Sequence, residues 1–97
     1  MTTTRFAITP SGVFTINDLH IALFSYLIAK HDNGKFYLRI EDTNQDNYDF
    51  NAESNIYKIL KIFNLNYDDK PIIQSERINI YKQHVKYLLE NDYAYYC

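Results

Sequence analysis

The apolar positions change period several times along the chain, and each change marks an element. Phe6 and Ile8 fall two apart within Arg5–Ile8, which predicts a short strand stopped by Pro10 and Gly12, residues that do not extend a ladder easily. From Leu19 the period lengthens: apolar residues stand at 19, 22, 23, 26 and 27, a helical stripe that closes at the turn Asp32-Asn33-Gly34. Asp18, just before the stripe, is the expected N-cap. Alternation returns over Lys35–Ile40, with Phe36, Leu38 and Ile40 on one face and Lys35, Tyr37 and Arg39 on the other, a second strand. Ala52, Ile56, Ile59, Leu60 and Phe63 trace a second helix, closed by Asn64-Leu65-Asn66 and a polar turn through Asp68, Asp69 and Pro71. Pro71 to Gln74 is a brief extended piece, Ile78, Tyr81, Val85 and Leu88 mark a third helix, and Asp92 to Cys97 is expected to begin a further strand.

Strands that alternate with helices predict an α/β fold, a parallel sheet with helices on both faces. Repeats, low-complexity stretches and interdomain linkers are absent from the sequence. In such sheets ligands collect beyond the carboxyl ends of the strands, where helix N-termini present free amides. Thr9 to Asp18 and Glu41 to Asn47 fall at that edge.

Composition narrows the function classes. Ten basic against twelve acidic residues leave a net charge of −2, without the basic footprint of an autonomous nucleic-acid-binding domain. A chain of 97 residues makes one small domain that buries about 60 to 65% of its unfolded surface. No apolar run is long enough to span a bilayer and the N-terminus opens on polar residues, so no membrane partner is expected. Cys97 is the single cysteine, which excludes an intramolecular disulfide and agrees with a reducing compartment; the expected location is cytoplasmic.

Glu41 and Asp42 are paired carboxylates at a strand end, suited to holding an ammonium group or accepting a proton, although such a pair also serves as a plain turn cap. His20, His31 and His84 show no metal-ligand spacing. Lys58, Lys61, Lys82 and Lys86 lie opposite apolar stripes and read as solvated faces; Tyr93, Tyr95 and Tyr96 read as strand and core residues rather than a base-stacking platform.

Four stretches, in order, resemble the start of a bacterial-type glutamyl-tRNA synthetase: Thr4-Arg5-Phe6-Ala7-Ile8-Thr9-Pro10-Ser11-Gly12, Arg39-Ile40-Glu41-Asp42-Thr43, Gln74-Ser75-Glu76-Arg77 and Ala94-Tyr95-Tyr96-Cys97. The resemblance covers nearly the whole chain. It implies the first half of a class I synthetase Rossmann-like domain, with residues 1–97 as a truncated N-terminal half of the catalytic domain. It also implies the parent activity, ATP-dependent activation of glutamate and transfer to tRNA(Glu), with glutamate and ATP with Mg as ligands and the tRNA bound only in the full-length protein. By the same resemblance Glu41 holds the α-ammonium of glutamate, Arg5 pairs with its side-chain carboxylate through a planar fork, and Ala7 and Thr9 line the amino-acid pocket, Thr9 standing where serine is usual.

The ATP-binding motif of the family, of the His-Ile-Gly-His or His-Ile-Gly-Gly type, aligns with Thr15, Ile16, Asn17 and Asp18 and is degenerate here. Thr15 cannot become cationic, Asn17 adds bulk where the adenine packs, and Asp18 adds negative charge at the phosphate end of a helix. Asn44 and Asn47 replace an acid and an arginine after the second motif, and His20 replaces a common arginine. Zinc, held in some members by cysteines starting at the Cys97 position, is not supported by a single thiol. The expectation is therefore that the 97-residue chain alone is inactive in aminoacylation. Two alternatives stand beside the ligase: a catalytically dead paralogue that binds glutamate or a partner, and a relative of the glutamyl-queuosine tRNA(Asp) synthetase.

Overall fold

The computed structural model describes residues 1–97. Strand β1 (Thr3–Ile8) leads through a turn into helix α1 (Ile16–His31), strand β2 (Lys35–Ile40), helix α2 (Phe50–Ile62), a two-residue strand β3 (Ile72–Ile73) and helix α3 (Ile78–Glu90). Short 3-10 turns at Gln45–Asn47 and Gln74–Arg77 precede α2 and α3. The three strands form one parallel sheet in the order β1-β2-β3. β1 and β2 pair along their whole length, Thr3 opposite Lys35 through Ile8 opposite Ile40, whereas β2 meets β3 only at Arg39–Ile72 and Ile40–Ile73.

The period-two pattern sorts the sheet into a buried and an open face. Phe6, Phe36, Leu38 and Ile40 enter the core with Ala22 and Ala29 of α1, Ile56 and Leu60 of α2, and Leu65 beyond it. Small residues on α1 let the helix lie close to the strands, while Tyr26 stands edge-on to Phe36 with ring centroids 5.5 Å apart. The opposite face carries Arg5, Ala7, Tyr37 and Arg39, which are half-buried or exposed.

Tight joints hold the entry to β2. Asn33 takes the left-handed backbone conformation, φ 52°, and Gly34 follows it into a buried position where an added Cβ would lie 1.6 Å from the Thr2 carbonyl oxygen. Only glycine fits there. Asp68 closes the same end of the sheet: its carboxylate accepts from the Phe36 N–H at 2.8 Å and from Lys30 Nζ at 3.1 Å, and its own N–H donates to the Phe36 carbonyl at 2.7 Å.

Four expectations are corrected. Asp92 to Cys97 is not a strand: Asp92 turns left-handed at φ 59°, the Tyr93 and Ala94 amides fold back onto the Leu88 carbonyl, and the segment meets no sheet edge. Consequently Tyr93, Tyr95 and Tyr96 are solvent-exposed rather than core residues. Asp18 is not the N-cap of α1; Thr15 is, with Asp18 three residues on. The apolar residues of α3 also bury less than their spacing implies, since Val85 and Leu88 remain exposed and α3 contributes no buried residue.

α1 differs from the other helices in being apolar nearly all round. Ile16, Ile21, Phe24, Leu27 and Ile28 stay exposed on the side away from the sheet, a pattern typical of a helix enclosed on all sides in a larger body. No helix is long and apolar enough to cross a membrane.

Candidate active site

The carboxyl ends of β1 and β2 open onto a cleft of about 280 Å³. Pairing fixes its floor: Ile8 lies opposite Ile40, and the Glu41 N–H donates to the Ile8 carbonyl at 2.9 Å, continuing the ladder one step past the strand. The turn after β1 bends away at Pro10 and Gly12, the latter with φ 68°, and carries Ser11, Gly12, Val13 and Phe14 along the cleft wall. The Asp49 N–H donates to the Pro10 carbonyl at 2.9 Å and its carboxylate caps α2 through the Asn51 N–H. That joint sets Ala52 and Ile56 against the same space.

Ala7, Thr9, Asp18 and Glu41 of the expected site line this cleft together. Arg5, Thr15, Ile16 and Asn17 do not. Arg5 is exposed, makes no ion pair, and shares the open face of the sheet with Ala7 and Arg39. Since Ala7 is opposite Arg39, Arg5 and Glu41 stand four residue steps apart on parallel strands, about 13 Å along the sheet.

Thr15 to Asp18 forms the first turn of α1. The Asp18 Oδ2 accepts from the Thr15 N–H at 2.8 Å and from the Thr15 hydroxyl at 3.0 Å, while the Asp18 N–H donates to Thr15 Oγ1 at 3.3 Å. This is a capping box, which satisfies the Thr15 and Asp18 N–H groups from within the chain. An incoming phosphate therefore meets a carboxylate already placed near the positive end of the helix. No lysine, arginine or histidine lines the cleft, whereas Asp18 and Glu41 both do. Its field favours a positively charged group.

Three features were not assigned from the sequence. Arg39 donates from Nη2 to Glu41 Oε1 at 2.6 Å, both side chains being about one-third exposed, so Glu41 already holds one cation. Asp42 is the buried member of the Glu-Asp pair, 6% exposed, and binds Ser75 rather than the cleft. Glu53 accepts from two phenols, Tyr48 at 2.5 Å and Tyr57 at 2.9 Å. Burial, then the bond to Glu53, pushes the Tyr57 hydroxyl well above its ordinary range, and the bond to Glu53 raises Tyr48. The signal for the first two was present, since Arg39, Asp42 and Ser75 sit inside motifs quoted for the resemblance. Only folding brings residue 75 to residue 42. No three His, Cys, Asp or Glu side chains of this chain converge closely enough to hold a metal ion.

The family model for the catalytic domain of class I tRNA synthetases specific for E and Q matches residues 1–97. The chain belongs to this class I synthetase family. Its relatives are aminoacyl-tRNA ligases. It is 51% identical over 94 residues to the mitochondrial glutamate–tRNA ligase of Saccharomyces cerevisiae, covering 97% of this chain and 18% of that one. To the glutamate–tRNA ligase of Borreliella burgdorferi it is 43% identical, over 99% of this chain and 21% of that protein. Among solved structures, a glutamate tRNA ligase from Elizabethkingia meningosepticum in complex with its amino acid superposes with a TM-score of 0.86 at 34% identity, over 91% of this chain and 19% of the other. The glutamate-tRNA synthetase of Elizabethkingia anophelis superposes with a TM-score of 0.85. The α/β sheet and helices are thus those of the N-terminal part of a class I synthetase catalytic domain. The chain spans about a fifth of the length of the relatives it matches.

Proposed function

We propose that this chain supplies the amino-acid half of a glutamate–tRNA ligase site, with Glu41 holding the α-ammonium of glutamate and Arg5 gripping its side-chain carboxylate. The observation that carries the reading is the open sheet face, which carries both Glu41 and an Arg5 without an ion pair, their backbone positions four residue steps, about 13 Å, apart along parallel strands. Glu41 Oε1 is taken by Arg39, and its other oxygen makes no hydrogen bond. Ala7 and Thr9 flank that position, a small residue leaving room and a hydroxyl able to bond a polar ligand. In the ligase reaction the glutamate carboxylate attacks the α-phosphate of ATP and expels pyrophosphate, and a ribose hydroxyl of tRNA(Glu) then attacks the carbonyl of the mixed anhydride and expels AMP. A Mg²⁺ arriving with ATP would rest on phosphate oxygens rather than in a protein cage.

In the same proposal residues 1–97 are the N-terminal half of a larger catalytic domain. The apolar outer surface of α1 and the length of the relatives support this. Cytoplasmic location remains part of the proposal and rests on the lone thiol, Cys97.

A second reading, an amino-acid-binding relative that does not activate glutamate, is favoured by the self-satisfied helix start at Thr15 and Asp18. Calorimetric titration of the chain with L-glutamate and with ATP tests the amino-acid site common to both. Glutamate is expected to bind more tightly than ATP; tighter binding of ATP overturns the assignment.

A further inference from the structure

Asp42 is the only charged side chain buried in the protein, and nothing in the ligand-binding reading uses it. Its two carboxylate oxygens are both occupied by one residue: Oδ1 accepts from the Ser75 N–H at 2.8 Å and Oδ2 from the Ser75 hydroxyl at 2.6 Å. The Asp42 carbonyl in turn accepts from the Gln45 side-chain amide. Ser75 stands in the first turn of the helical run that continues into α3, a run whose own N-cap residue, Ile73, offers no side-chain cap. Asp42 therefore caps it from 33 residues upstream.

The rest of the attachment is slight. β2 and β3 pair over two positions, and α3 brings no buried residue. One of those pairs is Arg39–Ile72, and Arg39 is the residue that holds Glu41. Glu41 thus sits between two anchors, the Arg39 guanidinium on one side and the Asp42–Ser75 clamp on the other. Arg39 Nε, buried without a partner, leaves the guanidinium fixed mainly through its bond to Glu41.

We propose that Asp42 is a positioning residue of the amino-acid site: by clamping Ser75 it fixes the backbone after β2 and so sets the direction of Glu41. This rests on the assignment of Glu41 to the ligand ammonium. An ionised carboxylate is suited to the task because it accepts both Ser75 donors at once, whereas the amide of Asp42→Asn has one acceptor oxygen and must turn its NH₂ toward the serine hydroxyl. Ser75→Ala keeps the backbone donor and loses the hydroxyl; Ser75→Thr keeps both.

The test uses the full chain with Asp42→Ala, Asp42→Asn, Ser75→Ala and Ser75→Thr, and Leu65→Val as a core variant remote from the clamp. L-Glutamate affinity is measured by calorimetry, amide exchange reports residues 72–77, and the nitrogen resonances of the Arg39 guanidinium report its pairing with Glu41. Asp42→Ala is expected to weaken glutamate by about tenfold, the scale of a lost bond to a charged group, with Ser75→Ala between it and the parent. Ser75→Thr restores the affinity, and Leu65→Val leaves it within about twofold despite lowering stability. The Arg39 signals shift in Asp42→Ala and not in Leu65→Val. If Asp42→Ala does not fold, Asp42→Asn and Ser75→Ala decide by the same readouts. Unchanged Arg39 signals in folded clamp variants, or an affinity loss matched by Leu65→Val, overturn the proposal. If the parent binds no glutamate, the ligand assignment fails by itself, and the Arg39 signals still decide whether Asp42 positions Glu41.

Discussion

Glu41 and Asp18 are carboxylates on the wall of one cleft, held in contrasting ways. Glu41 extends a strand, its amide joined to Ile8 and its side chain to the arginine two residues earlier, with one oxygen left without a protein hydrogen bond. Asp18 folds back on its own helix, and a single oxygen takes both Thr15 donors. Each acid keeps a second oxygen without a protein hydrogen bond; they differ in what the bonded oxygen holds, an arginine side chain for Glu41 and the start of its own helix for Asp18. The difference teaches that charge in a cleft does not identify a binding group. What matters as well is what the acid's existing bonds hold in place, since removing Glu41 frees an arginine whereas removing Asp18 uncaps a helix.

The contrast is broken or sharpened first at Glu41. Glu41→Ala is expected to lower glutamate affinity by about 10- to 100-fold, while stability changes by less than about 1 kcal/mol because the Arg39 pair is part-exposed. Calorimetry and thermal melting separate the two effects, and a variant that binds glutamate as the parent does would erase the distinction. Asp18→Ala is expected to behave the other way. Removing the capping partner lowers stability by about 0.5 to 2 kcal/mol, whereas ATP binds more tightly because a negative charge has left the helix N-terminus. Equal ATP affinity in the two proteins would show that Asp18 does not govern the nucleotide end.

A carboxylate outside the cleft supplies a reference. The Phe36 N–H and then Lys30 hold the Asp68 carboxyl below its ordinary value. Because the folded value lies below the unfolded one, the native chain binds fewer protons in the interval between them. The stabilisation is therefore present above about pH 4 and is lost as pH falls through the folded value. Asp68→Asn is expected to flatten the decline of melting temperature below about pH 4; a decline as steep as the parent's would assign the acid sensitivity elsewhere. The smallest expected effect is at Thr9→Ser, which retains the hydroxyl and removes one exposed methyl. Stability is expected within about 0.5 kcal/mol of the parent and glutamate affinity within about twofold. A large change in titration would mean that the methyl group shapes the pocket.

Local signals carried most of the framework. Alternation in Lys35–Ile40 made a strand with its apolar face buried, and the stripe at Ala52, Ile56 and Leu60 made a helix seated on it. The same logic failed at Asp92 to Cys97, where aromatic residues have strand propensity but no neighbouring strand to pair with. It failed at the start of α1: Asp18 was expected to cap the helix, whereas Thr15 does, because the first helical turn closes three residues earlier. At the cleft, Thr9 and Glu41 were legible from the pattern as strand-end residues and Ala7 only through the resemblance, while Arg5 lies outside the cleft although on the same side of the sheet as Ala7.

By itself the sequence determined the α/β order, the buried face of the two long strands and the motifs that mark the family, because these depend on period and spacing between near neighbours. Only the tertiary structure decided which acid of the Glu41-Asp42 pair faces the cleft and which is buried, and that Ser75 is the partner of the buried one. Adjacent residues on an extended chain point to opposite sides, but which side is filled depends on residues that arrive later in the sequence. A hydrogen bond across 33 residues has no local signature, since it depends on the chain after β3 lying beside the end of β2.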